Sequence, residues 1–169
     1  MVIGAIHLSI WILYGLFMAS GLRAVQPTVS DNEPTLRKGE VYLAHQSPKY
    51  QNKIKKGDLV VYKIKEERTN PSKLLKGHDE KYIKRVVGIP GDTISQKGKS
   101  LKINGQEVSS PTGIVTSSKI FFATHRNVDI TLKDNEFFLI GDNHSISLDS
   151  RHIGVIYRSE ILGVILLED

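Results

Sequence analysis

Residues Val2 to Leu22 contain no Asp, Glu, Lys or Arg. Coiled as one α-helix, those 21 positions would span about 30 Å, the thickness of a bilayer's hydrocarbon core. The run predicts a transmembrane helix, and so an anchor over residues 1–22 followed by a folded domain over residues 23–169. Trp11 and Tyr14 lie near its middle, and Gly4, His7, Ser9, Gly15, Ser20 and Gly21 dilute it. A cleavable signal peptide is the rival. It is disfavoured because no Lys or Arg precedes the apolar stretch, which also exceeds a usual signal core. Arg23, Arg37 and Lys38 follow the span and nothing basic precedes it, so charge alone would orient the domain inside the cell. A start residue set too far downstream, with a basic tail lost, reconciles this with an outward-facing domain; upstream in-frame codons lacking basic residues would refute it.

Past the anchor, no stretch sustains helical periodicity over three turns, so the domain is expected to be mainly β, as antiparallel sheets or a partly closed barrel. Val41-Tyr-Leu-Ala44 and Asp58-Leu-Val-Val-Tyr-Lys-Ile64 read as strands rich in β-branched and aromatic residues. Tyr82 to Val87 is the next, and Ile89-Pro-Gly-Asp92 supplies Pro and Gly at the central positions of a type II turn. Thr93-Ile94 continues as strand. Leu101 to Val108 reads as a hairpin, with Asn104-Gly105 where a type I′ turn needs positive φ. Further strands are expected over Lys119 to Ala123, Val128 to Leu132, Glu136 to Ile140, Gly154 to Tyr157 and Ile161 to Leu167. Gln46 to Lys56 and Glu66 to Glu80 read as polar connections. At 169 residues and 40% hydrophobic content, the chain has room for one core and not for a second full domain. The absence of cysteine excludes a disulfide framework and a thiol nucleophile. The net charge of +5 is spread without an aromatic-interleaved basic motif, which argues against nucleic acid and reads first as a solvated surface, compatible also with anionic lipid head groups or an acidic cell envelope.

Three clusters carry chemistry. The first, Gln26-Pro-Thr-Val-Ser-Asp-Asn-Glu-Pro-Thr-Leu36, reads on composition as a linker at the membrane exit. In the second, strand alternation puts Tyr82, Lys84 and Val86 on one face and Ile83, Arg85 and Val87 on the other. Either both charges sit at the rim of an edge strand, or Lys84 points inward, where burial favours the neutral amine and allows it to act as a general base for a serine. The third cluster, Gly141 to Gly154, gathers Asp142, His144, Ser145, Ser147, Asp149, Ser150, Arg151 and His152. By itself it is a polar loop held by side-chain hydrogen bonds and an Asp-Arg pair. Its Asp and His spacing fits no standard zinc or calcium pattern, so no metal is expected.

Together the clusters resemble the type I signal peptidases, membrane-anchored Ser-Lys proteases that cleave signal peptides on the outer face of the membrane. That family runs Ser-Met-x-Pro-Thr-Leu after its anchor, then Tyr-x-Lys-Arg-x-x-Gly-x-Pro-Gly-Asp, then Gly-Asp-Asn-Arg-x-x-Ser-x-Asp-Ser-Arg. Here the second motif is complete as Tyr82-Ile-Lys-Arg-Val-Val-Gly-Ile-Pro-Gly-Asp92. The third reads Gly141-Asp-Asn-His-Ser-Ile-Ser-Leu-Asp-Ser-Arg151, with His144 in place of Arg, and Gly57-Asp58-Leu-Val matches the family's Gly-Asp-x-Val strand. The resemblance implies a sheet fold of the signal peptidase type, no cofactor, Lys84 at the general-base position and Ser147 beside it as an orienting hydroxyl. It further implies that Asp142 and Arg151 hold the third loop against the lysine strand, that Asp149 joins their network, and that Tyr82 serves substrate binding.

The first motif departs from the family. Pro34-Thr35-Leu36 align, but Asp31-Asn32 stand where the family has Ser-Met, so Asp31 occupies the nucleophile position. A carboxylate there stabilises the Lys84 ammonium and predicts an ion pair instead of a dyad. A carboxylate nucleophile would form a labile anhydride, and an aspartic-protease mechanism needs a second carboxylate where a lysine stands. Ser30 is the alternative nucleophile, displaced by one residue, which requires a bulge or rearranged turn. A serine endopeptidase by resemblance, the protein is thus expected to be inactive or strongly impaired. It resembles the degenerate signal-peptidase-like proteins of pilus assembly in Gram-positive bacteria. Its expected partner is a pilin or other exported precursor, or a sortase, met at the extracytoplasmic face of the cell membrane. The alternative is an active signal peptidase using Ser30 with Lys84.

Overall fold

The computed structural model describes residues 15, 17, 19–64, 81–97, 100–108 and 128–167. Most of the expected span Val2 to Leu22, the connection Glu66 to Glu80 and the strand expected over Lys119 to Ala123 therefore lie outside the described residues. Among those described, no helix is long and apolar enough to cross a membrane.

The described strands are β1 (Leu22–Val25), β2 (Tyr42–His45), β3 (Leu59–Tyr62), β4 (Tyr82–Gly88), β5 (Thr93–Lys97), β6 (Ser100–Ile103), β7 (Gln106–Glu107), β8 (Val128–Thr131), β9 (Glu136–Ile140), β10 (Ile156–Tyr157) and β11 (Ile161–Leu166). They form a seven-stranded sheet, ordered β1-β2-β11-β3-β4-β9-β10, and a four-stranded one, β7-β6-β5-β8. All strand pairs are antiparallel. The expected antiparallel β architecture is thus present, and the described strands form no closed barrel. The larger sheet ends on β1 and on the two-residue β10, and no described strand joins these edges to close a ring.

Apolar runs set the middle of the larger sheet. β3 is buried at every position, and Phe137 to Ile140 of β9 are likewise buried. Val60 and Tyr62 of β3 pack with Val86, Phe137 and Leu139 on one face. Leu59 and Val61 face the other way, with Leu36, Ala44 and Ile165. A third cluster, containing Ile94, Leu101, Ile103 and Leu132 with Phe138 and Ile140, ties the smaller sheet to β9. The chain passes between sheets at the end of β4, where the register slips between Val86 and Gly88. A Cβ on Gly88 would sit 3.0 Å from Ile94, Leu132 and Phe138 side-chain atoms, so any larger residue would make these neighbours give way. The following Pro90-Gly91 turn has Gly91 at φ +90°, the geometry a type II turn requires.

Two local features depart from expectation. The anchor was expected to run through Leu22, but Leu22 already belongs to β1 and pairs with His45 of β2. The Gln46 to Lys56 connection contains one helical turn, Pro48–Gln51, started by a proline at its first turn, where proline loses no hydrogen bond.

Candidate active site

The register of β3 against β4 decides which way Lys84 points. Val60 is paired with Lys84 and Val61 with Ile83, and cross-strand partners share a face. Val60 and Val86 lie in the main core, so the same face carries Lys84 inward, and it is 1% exposed. Arg85 emerges on the opposite face.

The turn at residues 28–36 delivers Asp31 to this lysine. Leu36 is wholly buried with Leu59 and Val61, which fixes the far end of the turn; burying such a side chain is worth about 1.5–3 kcal/mol. Asn32, 1% exposed, donates from Nδ2 to the Ile83 carbonyl at 2.7 Å and to Asp31 Oδ1 at 3.1 Å. Asn32 thus ties the turn to β4 one residue before Lys84. Lys84 Nζ donates to Asp31 Oδ2, and the two side chains are 1% and 12% exposed.

The loop after β9 closes the site from the other side. Asn143 donates from its backbone to the Asp31 carbonyl at 3.0 Å and from Nδ2 to the Ser30 carbonyl at 3.2 Å. Arg85 makes a bidentate pair with Asp142 at 2.7 and 2.6 Å and also donates to the Gly57 carbonyl at 2.6 Å. Asp149 accepts from Arg151 Nε and Nη2, both at 2.8 Å, and from the Gly141 amide at 3.1 Å. It also begins the helical turn Ser150–Ile153 as N-cap. Gly141 lies in a narrow gap, where a Cβ would sit 2.3 Å from Ser147 Oγ and 2.5 Å from the Asp31 carbonyl.

Residues 2–167 match the family described as Signal peptidase, peptidase S26. The chain belongs to the signal peptidase S26 family. It is 32% identical over 136 residues to Signal peptidase I of Bacillus amyloliquefaciens, covering 78% of this chain and 66% of the relative. Similarity to Signal peptidase I S of Bacillus subtilis (strain 168) is 32% over 146 residues, covering 81% and 72%. With Signal peptidase I V of the same strain it is 39% over 102 residues, covering 54% and 60%. The chain thus spans roughly two thirds of the length of these relatives. A crystal structure of a signal peptidase I from Enterococcus faecalis V583 aligns over 67% of this chain and 97% of its own, at 21% identity and a TM-score of 0.46.

Among the signal peptidase motif residues, the structure brings Asp31, Lys84, Asp142, Asp149, Arg151 and Ser147 to one end of β4 and β9. Their contacts differ in part from those the motifs imply. Asp142 does hold the loop to the lysine strand, through Arg85. Arg151 instead closes the loop on itself, through Asp149 and the His144 carbonyl at 3.2 Å. Ser147 is 2% exposed, and its hydroxyl is directed to the Asp149 carboxylate, which it helps hold low, while the Lys84 hydrogen bond goes to Asp31. Ser30 is half-buried and engaged through its carbonyl; its hydroxyl makes no bond to Lys84. Tyr82 is half-buried and packs near Tyr62, their ring centroids 5.6 Å apart.

Burial pushes the Asp31 carboxyl above the usual carboxylate range, and the neighbouring Lys84 only partly offsets this. Burial acts on Asp149 in the same sense, but hydrogen bonds from His152 and Arg151 and the Arg151 charge overcome it and hold that carboxyl well below the usual range. The Tyr62 phenol, wholly buried, is pushed well up by desolvation and then by Asp149 and Asp31. Burial and then Arg151 lower His144.

Sequence reasoning left Arg85 and Asn143 without a role and read Asn32 only as a departure that weakens an oxyanion hole, though each fixes the site. Arg85 was visible inside the Tyr-x-Lys-Arg motif and Asn143 inside Gly-Asp-Asn. Asn32 gave no such signal, since it departs from the family's Met.

Proposed function

We propose that this signal peptidase I-like protein is a membrane-anchored, extracytoplasmic binding or assembly factor that does not catalyse ordinary proteolysis. The observation that carries this reading is the buried Lys84 held by Asp31. A Ser-Lys protease needs a neutral lysine next to a hydroxyl, to take its proton as the oxygen attacks. Here a carboxylate fills the nucleophile position and engages the amine. The surrounding framework of Asp142, Asp149, Arg151 and Ser147 is kept in a formed site, which favours retention of a groove for an extended peptide. Such a groove binds by main-chain pairing and needs no nucleophile.

Residues 1–22 serve as a single-pass anchor in this reading, with the domain from residue 23 outside the cell membrane. The bound partner is an exported protein precursor, with a pilin precursor of a Gram-positive pilus or its sortase as the specific candidate. Crosslinking of a pilin precursor to the site and loss of pilus polymerisation on deletion are the expected outcomes; absence of both would end the pilus assignment.

The catalytic half is tested with a signal-peptide reporter. Purified wild-type protein is expected to bind it without turnover, while Asp31→Ser, which restores a hydroxyl opposite Lys84, is expected to gain measurable cleavage. Wild-type cleavage abolished by Ser30→Ala would overturn the reading in favour of Ser30 as displaced nucleophile with Lys84 as general base. No hydrogen bond between Ser30 and Lys84 supports that alternative.

A further inference from the structure

We propose that Lys84 and Asp31 become joined by an intramolecular isopeptide bond between Lys84 Nζ and Asp31 Cγ in the folded protein. The inference goes beyond the binding reading, because a cross-linked and an open chain would each present the same outer groove.

The placement of the groups supplies the argument. Lys84 is 1% exposed and Asp31 9%, and the amine touches the carboxylate oxygen Oδ2. The lysine lies on the strand face that carries Val60 and Val86, with Tyr82 packed at its edge. Removing two opposite charges from water is costly, and their mutual attraction repays this only in part. An amide between the same atoms carries no charge. Reaction within a held pair also avoids the entropy of bringing the partners together, an advantage equivalent to effective molarities on the order of 10⁵–10⁸ M.

The step balances within the pair. The ammonium passes one proton to Oδ2, giving a neutral amine and a carboxylic acid; burial already holds the Asp31 carboxyl above its ordinary range. Nζ then bonds to Cγ, and the Cγ–Oδ2 bond breaks. Oδ2 takes a second proton from Nζ and leaves as water. Oδ1 becomes the amide carbonyl, and Asn32 Nδ2 already donates to it at 3.1 Å, so the donor that steadies this oxygen during attack also serves the product. Asp149 and Arg151 are the other charges close by, and they satisfy each other. The bond would fasten the turn at residues 28–36 to β4 covalently, in a chain without cysteine.

The test is mass spectrometry of the purified full chain after denaturation and proteolysis, with no substrate or partner present. The expected result is one branched peptide uniting the segments that contain Asp31 and Lys84, lighter by one water than their sum. Lys84→Arg should yield only linear peptides, and Asp31→Asn should give the same branched product by releasing ammonia. Wild-type protein containing only linear peptides of full mass would overturn the proposal. So would water loss that persists in Lys84→Arg, because that marks a cyclic imide at Asp31-Asn32. Reporter cleavage is measured separately, so failure here leaves the binding reading intact.

Discussion

Gly141 lies in a gap too narrow for a side chain. A methyl group there would sit 2.5 Å from the Asp31 carbonyl and 2.3 Å from Ser147 Oγ, so the turn carrying Asp31 or the loop carrying Ser147 would have to shift. Gly141→Ala is expected to destabilise by about 1–3 kcal/mol, read as a lower urea midpoint. The same glycine was visible in sequence only as the first letter of a motif. The orientation of the β4 charges was legible to a similar half measure. Alternation placed Lys84 and Arg85 on opposite faces, but which face turns inward depends on pairing with Val60 across the sheet, a contact 24 positions away in the chain. Arg85 then acquires its own buried partner, since Asp142 is 1% exposed. Arg85→Ala removes the bidentate partner of that buried carboxylate, and the expected loss is about 1.5–3 kcal/mol. Arg85→Lys should recover only part of it, because one ammonium cannot reproduce the two parallel hydrogen bonds of the fork.

The loop at residues 141–154 behaves as an element although it contains little regular structure. Asp149 N-caps the turn Ser150–Ile153, binds Arg151 and accepts from Gly141, so its ionisation and the loop's shape are coupled. Its carboxyl is held below the usual range in the fold, and therefore stabilises wherever the unfolded carboxyl is ionised, above about pH 4. This contribution disappears as pH falls through the lower folded value. In a chain whose Asp31 is not joined to Lys84, that carboxyl has the opposite sign: its raised folded value means that the fold takes up a proton before the unfolded chain does, which favours the fold as pH falls toward about 4. Stability should thus hold on mild acidification and collapse in stronger acid, and Asp149→Asn should flatten the acid limb in urea midpoints measured against pH. Elements fixed by local rules were easier to read. Asn104 at φ +51° and Gly105 at φ +78° form the predicted hairpin tip between β6 and β7, because positive φ is a property of those residue types themselves. The capped turn at Ser150 was missed because its partners, Asp149 and His152, read equally well as a polar loop.

At the scale of the whole molecule, the boundary between the expected anchor and the domain is what sequence placed least well. Hydropathy ran the apolar stretch through Leu22 because Gly21 and Leu22 carry no charge to end it. The fold uses these residues differently: the Gly21 carbonyl accepts from Gln46 at 2.8 Å, and Leu22 opens β1, which among the described strands is an edge paired with β2. Val25, at the far end of β1, packs on the cluster of Leu36, Leu59 and Val61, the same cluster that seats the turn carrying Asp31. The edge strand and the site therefore share a core. Two truncations separate the roles. If residues 1–22 anchor the protein as proposed, removing residues 1–20 is expected to release the domain from membranes with its urea midpoint nearly unchanged, because the ladder between β1 and β2 survives. Removal through Val25 strips β1 from the sheet, and the expected cost is about 1–2 kcal/mol from lost apolar burial, with weaker reporter binding because the turn loses its neighbour. Membrane fractionation and unfolding of both truncations check the pair, and equal midpoints would refute the coupling between the edge strand and the site.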